Sequence, residues 1–333
     1  MHPRPTRVLT IDPVNPDPEA LRVAAAVLRS GGLVAFPTET VYGLGANALD
    51  PTAVRGIFEA KGRPPTNPLI VHVANEAMLN RVVASWPDSA KTLAARFWPG
   101  PLTLVLPKGP DVPPEVTAGG PTVAVRMPAH PVAIGLIREA GVPLAAPSAN
   151  RSSHISPTRA EHVRAGLDGR IDLILDAGPT ANGIESTVLD LTSDPPILLR
   201  PGPIPRSILE ELVGAIRFRE PGSAAGPLPS PGLLPRHYAP RTPVELHVTA
   251  VSAAERAAEL RARAERVAVV LVGGLPAEEG VSMPADAVGY AARLYDVLHD
   301  LDARGLDRIL IELPPDTEVW LAVRDRLMRA AAR

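Results

Sequence analysis

Residues 33–45 read LVAFPTETVYGLG, a short apolar run that leads into a loop of proline, hydroxyl-bearing and glycine residues. Four apolar residues in succession predict a short buried strand at 33–36. Helix-start signals lie on both sides, because Asp17-Pro18 and Asp50-Pro51 each place a capping oxygen before a proline at the first helical position. This succession predicts an α/β fold, with a loop suited to ligand binding after the strand.

The same alternation continues to residue 217 and predicts a first domain over residues 1–217. Helices are expected at about residues 18–30, 51–60, 88–97, 131–140, 158–165 and 206–213. Strands are expected at about residues 33–36, 68–73, 102–106, 122–126, 143–146, 171–175, 186–191 and 196–199.

A different composition follows, because residues 221–232 read PGSAAGPLPSPG and cannot sustain a helix or a central strand. We interpret residues 218–243 as a linker that could act as a lid. From residue 244 the pattern is strand, helix, strand, helix, strand, helix. The uninterrupted apolar run VAVVLV at 267–272 predicts a parallel strand covered on both faces, and hence a small Rossmann-like, three-layer α/β domain over residues 244–333.

Composition excludes several kinds of site. The chain has 333 residues, a net charge of −2 and no cysteine, which excludes disulfides, thiolate metal sites and a cysteine nucleophile. The near-zero charge argues against a generally basic nucleic-acid surface. Neither a signal peptide nor a run of roughly 18 apolar residues is present, so a cytoplasmic protein without membrane contact is expected. Walker, G-x-G-x-x-G, H-E-x-x-H and G-x-S-x-G motifs are also missing.

Four cations stand in loops or at predicted strand ends: Lys61, Arg63, Arg126 and Arg200. Lysine and arginine in such positions suit a polyphosphate or a carboxylate, and together they predict a local anion site. Each loop could instead be an ordinary turn, and Arg126 could have a structural aspartate or glutamate as its partner.

Several of these loops resemble the YrdC-like family. The resemblance rests on residues 37–45 and 61–72, on FWPGPLT at 97–103, VRMP at 125–128, PSAN at 147–150, EST at 185–187 and RPG at 200–202. The tail from SPG at 230–232 to HYAP at 237–240 looks like the linker of the longer, two-domain members of that family. Many motifs in the same order make the resemblance specific over about residues 15–240.

The resemblance implies a twisted sheet with helices around a concave, positively lined cavity. It also implies ATP-dependent synthesis of threonylcarbamoyl-AMP from L-threonine and bicarbonate, with release of pyrophosphate and with Mg²⁺ accompanying ATP. The product would pass to the machinery that forms N6-threonylcarbamoyladenosine in tRNA, and no stable nucleic-acid binding is expected.

Residue roles also follow from the resemblance. Lys61 and Arg63 would act on the phosphates as catalytic residues, and no residue would bind a metal. Threonine would be held by Thr40, His72, Arg126, the Ala146 backbone and Ser186. ATP would be held by Arg63, Asn67, Thr122, Ser148, Asn150, Ser156, Arg200, His237 and Tyr238.

Two positions depart from the family pattern, because Ser153 stands where glycine is usual and Leu233 where methionine is commoner. Ser153 puts the backbone angle of its loop in doubt. Other functions compatible with the pattern are an RNA-binding module, an enzyme that makes a carbamoyl-adenylate from carbamoyl phosphate, and a nucleotide sensor. An RNA-binding module would need more cations and more aromatic residues, which make up only 3% of this chain.

Overall fold

The computed structural model describes residues 5–219, 230, 237–274 and 280–332. By its internal contacts the chain divides into two compact units. The first contains Met1–Ser152, Pro157–Ala181 and Glu185–Leu233, and the second contains Ser153–Ser156, Asn182–Ile184 and Leu234–Arg333. The predicted linker at 218–243, with Leu233, lies largely outside the described residues, so the domain limits at 217 and 244 stay a prediction.

The first unit is built on a mixed sheet to which eleven strands contribute among the described residues. Their order across the sheet is β1-β8-β2-β3-β7-β4-β6-β5-β9-β10-β11. The strands are β1 (Arg7–Thr10), β2 (Val34–Phe36), β3 (Gly43–Asn47), β4 (Ile70–His72), β5 (Leu102–Pro107), β6 (Thr122–Arg126), β7 (Leu144–Ala145), β8 (Leu173–Asp176), β9 (Thr187–Asp190), β10 (Ile197–Arg200) and β11 (Arg217–Phe218). The helices are α1 (Pro18–Arg29), α2 (Pro51–Lys61), α3 (Glu76–Val82), α4 (Asp88–Phe97), α5 (Pro114–Thr117), α6 (Pro131–Ala140), α7 (Ala160–Leu167) and α8 (Arg206–Val213).

Helix α1 begins as the sequence predicts. The Asp17 carboxylate accepts a hydrogen bond from the Glu19 amide at 3.1 Å, and Pro18 is the first helical residue. One face of α1, including Leu21 and Leu28, is buried in the main apolar core of the unit. Helix α2 repeats the device, since Asp50 accepts from the amides of the first turn, and α2 carries Lys61 as its last residue.

Strand register brings the ends of several strands to one edge of the sheet. Strands β4 and β6 are parallel, with His72 opposite Arg126 at their last positions. Strand β5 is antiparallel to β6 and parallel to β9, so the start of β5 and the residue before β9, Ser186, lie toward the same edge. Strand β10 is antiparallel to β9 and ends there with Arg200. This edge therefore gathers His72, Arg126, Ser186 and Arg200.

Three strands of the first unit were not predicted, namely β1, β3 and β11. Gly43 to Gly45 belong to the motif that suggested a loop, yet they form the start of β3, which pairs with β2 in antiparallel fashion. Glycine at position 45 serves close packing, because a Cβ there would lie 2.7 Å from a ring carbon of Phe36. Helices α3 and α5 were also not predicted, although Asn75 caps α3 by accepting from the Met78 amide at 2.9 Å.

The second unit contains a sheet in which all pairings between described strands are parallel, in the order β12-β15-β13-β14. Its elements are β12 (Val244–His247), α9 (Ala250–Ala262), β13 (Val267–Val272), β14 (Gly280–Met283), α10 (Ala287–Ala303), β15 (Arg308–Glu312), a 3₁₀ turn (Glu318–Trp320) and α11 (Leu321–Ala331). The apolar run at 267–272 forms β13 between two parallel neighbours, which confirms the prediction for that strand. Strand β14 was not predicted, because GVSM lacks such a run.

None of the helices in the described part of the chain combines the length and the apolar character needed to cross a membrane.

Ser153 keeps the backbone conformation that glycine favours. Its φ is +66°, in the left-handed region, and its carbonyl accepts from the Ala239 amide at 3.0 Å within the second unit. A non-glycine residue there costs roughly 1–2 kcal/mol. Ser153 therefore adopts the backbone angle that glycine would adopt at this position, at an energetic cost.

We predict that Ser153→Gly is neutral or raises the free energy of unfolding by up to about 1 kcal/mol, because relief of the left-handed strain offsets the greater freedom of glycine in the unfolded chain. The control Ser152→Gly, one residue earlier and without a positive φ, is expected to lose roughly 0.4–1 kcal/mol. Urea denaturation measures both. Equal losses in the two variants would contradict the prediction.

Candidate functional site

Arg126, the last residue of β6, is held by two other segments of the first unit. Its side chain is only 4% exposed. The Nε group donates to the Gly100 carbonyl at 3.1 Å, and Nη1 donates to the Thr40 hydroxyl at 3.0 Å. These contacts fix the plane of the guanidinium and leave N–H groups on both terminal nitrogens for a further partner, since arginine has five donors. Such a fork suits a carboxylate.

Arg126 has an acidic structural partner, as the sequence allowed, and this partner is Glu39. Oε1 of Glu39 lies 2.7 Å from Nη2 of Arg126, and 13% of the Glu39 side chain is exposed. The two groups form an ion pair without hydrogen-bond geometry. Neither Glu39 oxygen accepts a hydrogen bond among the described residues. Glu39 thus compensates the charge of the buried Arg126, while the terminal nitrogens of the guanidinium keep N–H groups that can bind a further ligand.

His72 ends β4 beside Arg126 and is almost completely buried. Burial, reinforced by the Arg126 charge, lowers the pKa of His72 to about 3, so the imidazole is neutral at physiological pH. Its Nδ1 atom is buried and has no hydrogen-bond partner among the described residues. A neutral ring with an unmatched nitrogen is suited to a polar ligand at the same edge.

Ser186 lies in a hydrogen-bonded cluster with Thr103 and Arg200. Its hydroxyl is 2.7 Å from the Thr103 hydroxyl and accepts from Nη2 of Arg200 at 3.1 Å. Nε of Arg200 donates to the Ser186 carbonyl at 3.0 Å. Arg200, predicted for ATP, therefore orients a residue predicted for threonine. Gly202 packs against the same segment, because a Cβ there would lie 2.3 Å from the Thr187 nitrogen.

Lys61 anchors the loop that contains Ser148 and Asn150. Its ammonium, at the end of α2, donates to the Ser148 and Asn150 carbonyls and, at 3.3 Å, to Oδ1 of Asn150. Ser148 Oγ donates to the same Oδ1 at 2.6 Å. Burial and then the charge of Arg63 lower the pKa of Lys61 well below its usual value. Three acceptors match the three donors of an ammonium, so this geometry favours a positioning role for Lys61.

Arg63 and Asn67 form a second ordered loop. Nε of Arg63 donates to the Asn67 carbonyl at 3.0 Å, and Nη2 donates to the Pro68 carbonyl at 2.8 Å. Both amide atoms of Asn67 are buried without a hydrogen-bond partner among the described residues. Thr122 begins β6, at the opposite end of that strand from Arg126, and is half-buried. The register of β4 and β6 places Thr122 toward the end at which this loop enters β4.

The remaining predicted residues divide between the two units. The Ala146 amide already donates to the Ile70 carbonyl at 2.9 Å, which leaves its carbonyl as the group for a ligand. Ser156, His237 and Tyr238 belong to the second unit and are buried. The Tyr238 ring packs against Tyr295, and the Arg326 guanidinium carbon lies 5.2 Å from its centre. The roles assigned to all these residues stay predictions.

Sequence reasoning did not single out three residues that shape this edge: Glu39, Thr103 and Gly202. Glu39 carried a signal, because a carboxylate stood between two threonines in the loop after β2. Thr103 and Gly202 lay in motifs that carried the family resemblance, but only the pairing of β9 with β5 and with β10 brings them to Ser186. Within the described ranges, no three histidine, aspartate or glutamate residues lie close enough to hold a metal ion.

The pKa of His72 predicts an acid-sensitive contribution to stability. Its folded-state value of about 3 lies below the ordinary 6.5, so the unfolded chain binds more protons between these values. The free energy of unfolding should then fall as pH drops below 6.5, by up to about 1.4 kcal/mol per pH unit from this group. Urea denaturation should show a shallower pH dependence for His72→Gln than for the unaltered protein. Identical slopes would count against a buried neutral His72.

Comparison with known proteins agrees with this arrangement. A family model described as "Telomere recombination", which represents the Sua5, YciO and YrdC proteins, matches residues 26–202. A second model, described as "Threonylcarbamoyl-AMP synthase, C-terminal domain", matches residues 204–332.

Relatives match over nearly the whole chain. A threonylcarbamoyl-AMP synthase of Bacillus subtilis is 48% identical, over 95% of this chain and 93% of its own. One of Pyrococcus abyssi is 45% identical, over 93% of this chain and 94% of its own. The crystal structure of the P. abyssi protein Sua5 complexed with L-threonine has a TM-score of 0.92 and 43% identity, and the match covers 98% of each chain. The chain therefore belongs to the YrdC-like family, in the two-domain form that carries the C-terminal domain of threonylcarbamoyl-AMP synthases.

Proposed function

We propose that this protein synthesises threonylcarbamoyl-AMP from L-threonine, bicarbonate and ATP, with release of pyrophosphate and water. The observation that carries the proposal is the likeness, across both units, to relatives with that name and to a protein whose structure contains L-threonine. The buried edge formed by β4, β6, β9 and β10 supports it, because a guanidinium, hydroxyls and a neutral imidazole are groups that can bind an amino acid.

Threonine is proposed to bind with its carboxylate on the terminal nitrogens of Arg126. Nε and one Nη1 proton of Arg126 are already engaged by Gly100 and Thr40, which holds the fork in one orientation before the substrate arrives. Ser186, fixed by Thr103 and Arg200, and the unmatched Nδ1 of His72 add polar contacts at the same edge.

The reaction needs no nucleophile from the protein. The threonine ammonium first loses a proton, and the free amine attacks the carbon of bicarbonate. A C–N bond forms, a C–O bond of bicarbonate breaks, and its oxygen leaves as water with an amine proton, which gives a carbamate. With CO₂ in place of bicarbonate, the amine adds to the carbon and releases one proton to solvent. A carbamate oxygen then attacks the α-phosphorus of ATP, and pyrophosphate leaves with the electrons of the broken P–O bond. Catalysis would consist of positioning and of stabilising negative charge on the phosphates. Arg63 and Arg200 are the proposed cations, and Lys61 is proposed to hold the loop with Ser148 and Asn150 against the nucleotide.

Mg²⁺ is proposed to arrive with ATP as part of the substrate. Phosphate oxygens and water are ligands that Mg²⁺ prefers, and the metal offsets phosphate charge when bound. The activated product is proposed to pass to the machinery that transfers threonylcarbamoyl to tRNA, in the cytoplasm.

The proposal predicts a reaction that depends on every substrate. Pure protein with MgATP, bicarbonate and radiolabelled threonine should release pyrophosphate and form a labelled adenylate, and omission of threonine or bicarbonate should abolish both. Arg126→Lys keeps the charge that faces Glu39 but loses the fork, so the KM for threonine should rise about tenfold or more. Lys61→Ala should lower kcat/KM for ATP at least about tenfold, because Ser148 and Asn150 lose their anchor.

Lys91→Ala is the matched control for Lys61, since Lys91 is an exposed lysine on α4 that pairs with Asp88. It should leave both parameters unchanged. Pyrophosphate release with carbamoyl phosphate and without threonine would instead support a carbamoyl-adenylate enzyme. Steeply salt-dependent RNA binding without turnover would support an RNA-binding module.

A further inference from the structure

Glu39 has a carboxylate whose acceptors are largely unmatched. It lies in the loop after β2, directly before Thr40 in the sequence. Both oxygens are buried and accept no hydrogen bond from the described residues, and Oε1 forms an ion pair with Nη2 of Arg126 at 2.7 Å. A buried carboxylate gains stability from N–H or O–H donors, and Glu39 has room for several.

The neighbouring hydroxyls add acceptors and not donors. Thr38 donates its proton to the Val41 carbonyl at 2.7 Å, so the 2.8 Å contact between the two threonines must use the proton of Thr40. The Thr40 oxygen also accepts from Arg126, which leaves it one lone pair. A ligand that reaches this corner therefore meets acceptor atoms of Glu39 and Thr40 beside the donor fork of Arg126.

Charge balance sets which ligand fits. A ligand carboxylate on Arg126 would put two carboxylates against one guanidinium in a buried site, and the repulsion between them would oppose binding. His72 does not offset the excess charge, because its pKa of about 3 leaves it neutral. Burial likewise lowers the pKa of His130, against the opposing effect of the Glu39 charge. A cationic group on the same ligand would restore neutrality.

We propose that Glu39 is a further substrate-recognition residue, which binds the α-ammonium of threonine while Arg126 binds the α-carboxylate. The Arg126–Glu39 ion pair is then complementary in charge to a zwitterion. The ligand ammonium supplies the hydrogen-bond donors that Glu39 and Thr40 lack. The pair selects α-amino acids over hydroxy acids of the same shape. This inference rests on the proposed function, because it takes threonine as the ligand of this edge.

A purely structural role for Glu39 has a different consequence. If its carboxylate only neutralised Arg126, its loss would disturb every ligand that uses Arg126. If it binds the ammonium, its loss would weaken only ligands that carry an ammonium. A pair of ligands that differ in that one group separates the two roles.

Calorimetric titration of the full chain with L-threonine, and with the hydroxy acid in which a hydroxyl replaces the α-ammonium, makes the comparison. Glu39→Gln keeps the shape of the side chain and removes its charge. We expect it to weaken threonine binding at least about tenfold, and to leave the hydroxy acid unchanged or bound more tightly, since one repelling carboxylate is gone. Glu59→Gln, which alters an exposed glutamate on α2, should change neither ligand.

Equal weakening of both ligands in Glu39→Gln, or no change in either, would overturn the inference while leaving the proposed function intact, as judged by adenylate formation in the unaltered protein. An unaltered protein that binds no threonine would overturn the proposed function and the inference together. Thermal melting checks that the variant folds. Should Glu39→Gln not fold, Glu39→Asp keeps the charge but withdraws it by one methylene, and it should weaken threonine more than the hydroxy acid.

Discussion

Arg126 carries a full positive charge at the end of a buried strand, and the arrangement of the candidate site depends on how that charge is satisfied. Its guanidinium reaches the Gly100 carbonyl before β5, the Thr40 hydroxyl in the loop after β2, and the Glu39 carboxylate in the same loop. A buried guanidinium without these oxygens would be costly. The charge therefore joins three chain segments that are far apart in the sequence.

The other cations are satisfied in a different way. Among the described residues, Lys61 and Arg200 donate hydrogen bonds to neutral oxygens: carbonyls, an amide oxygen and a hydroxyl. Neutral acceptors hold the side chains in place but do not cancel their charge. Positive potential thus remains at Arg200, while at Arg126 it is balanced by Glu39. This contrast agrees with an anionic phosphate as the proposed ligand of Arg200 and a zwitterion as the proposed ligand of Arg126.

Local signals predicted most of the regular elements. Aspartate before proline set the start of α1 and α2, and the run VAVVLV predicted a parallel strand in the second unit. The failures also have local reasons. Residues 43–45 contain two glycines and look like a loop, yet they form β3 by pairing with β2, and glycine at position 45 leaves room for the ring of Phe36. Ser153 stands where the family usually has glycine, and the structure was needed to show that it keeps the left-handed backbone.

The sequence by itself determined the α/β class, the cationic residues and, through several motifs in order, the resemblance to a family. Those properties are local, since they depend on neighbouring residues and on their spacing. Only the tertiary structure decided which oxygens each cation meets, that Thr103 orients Ser186, and that Glu39 faces Arg126. Strand register and the packing of loops from distant parts of the chain set these contacts, and neither can be deduced from composition or periodicity.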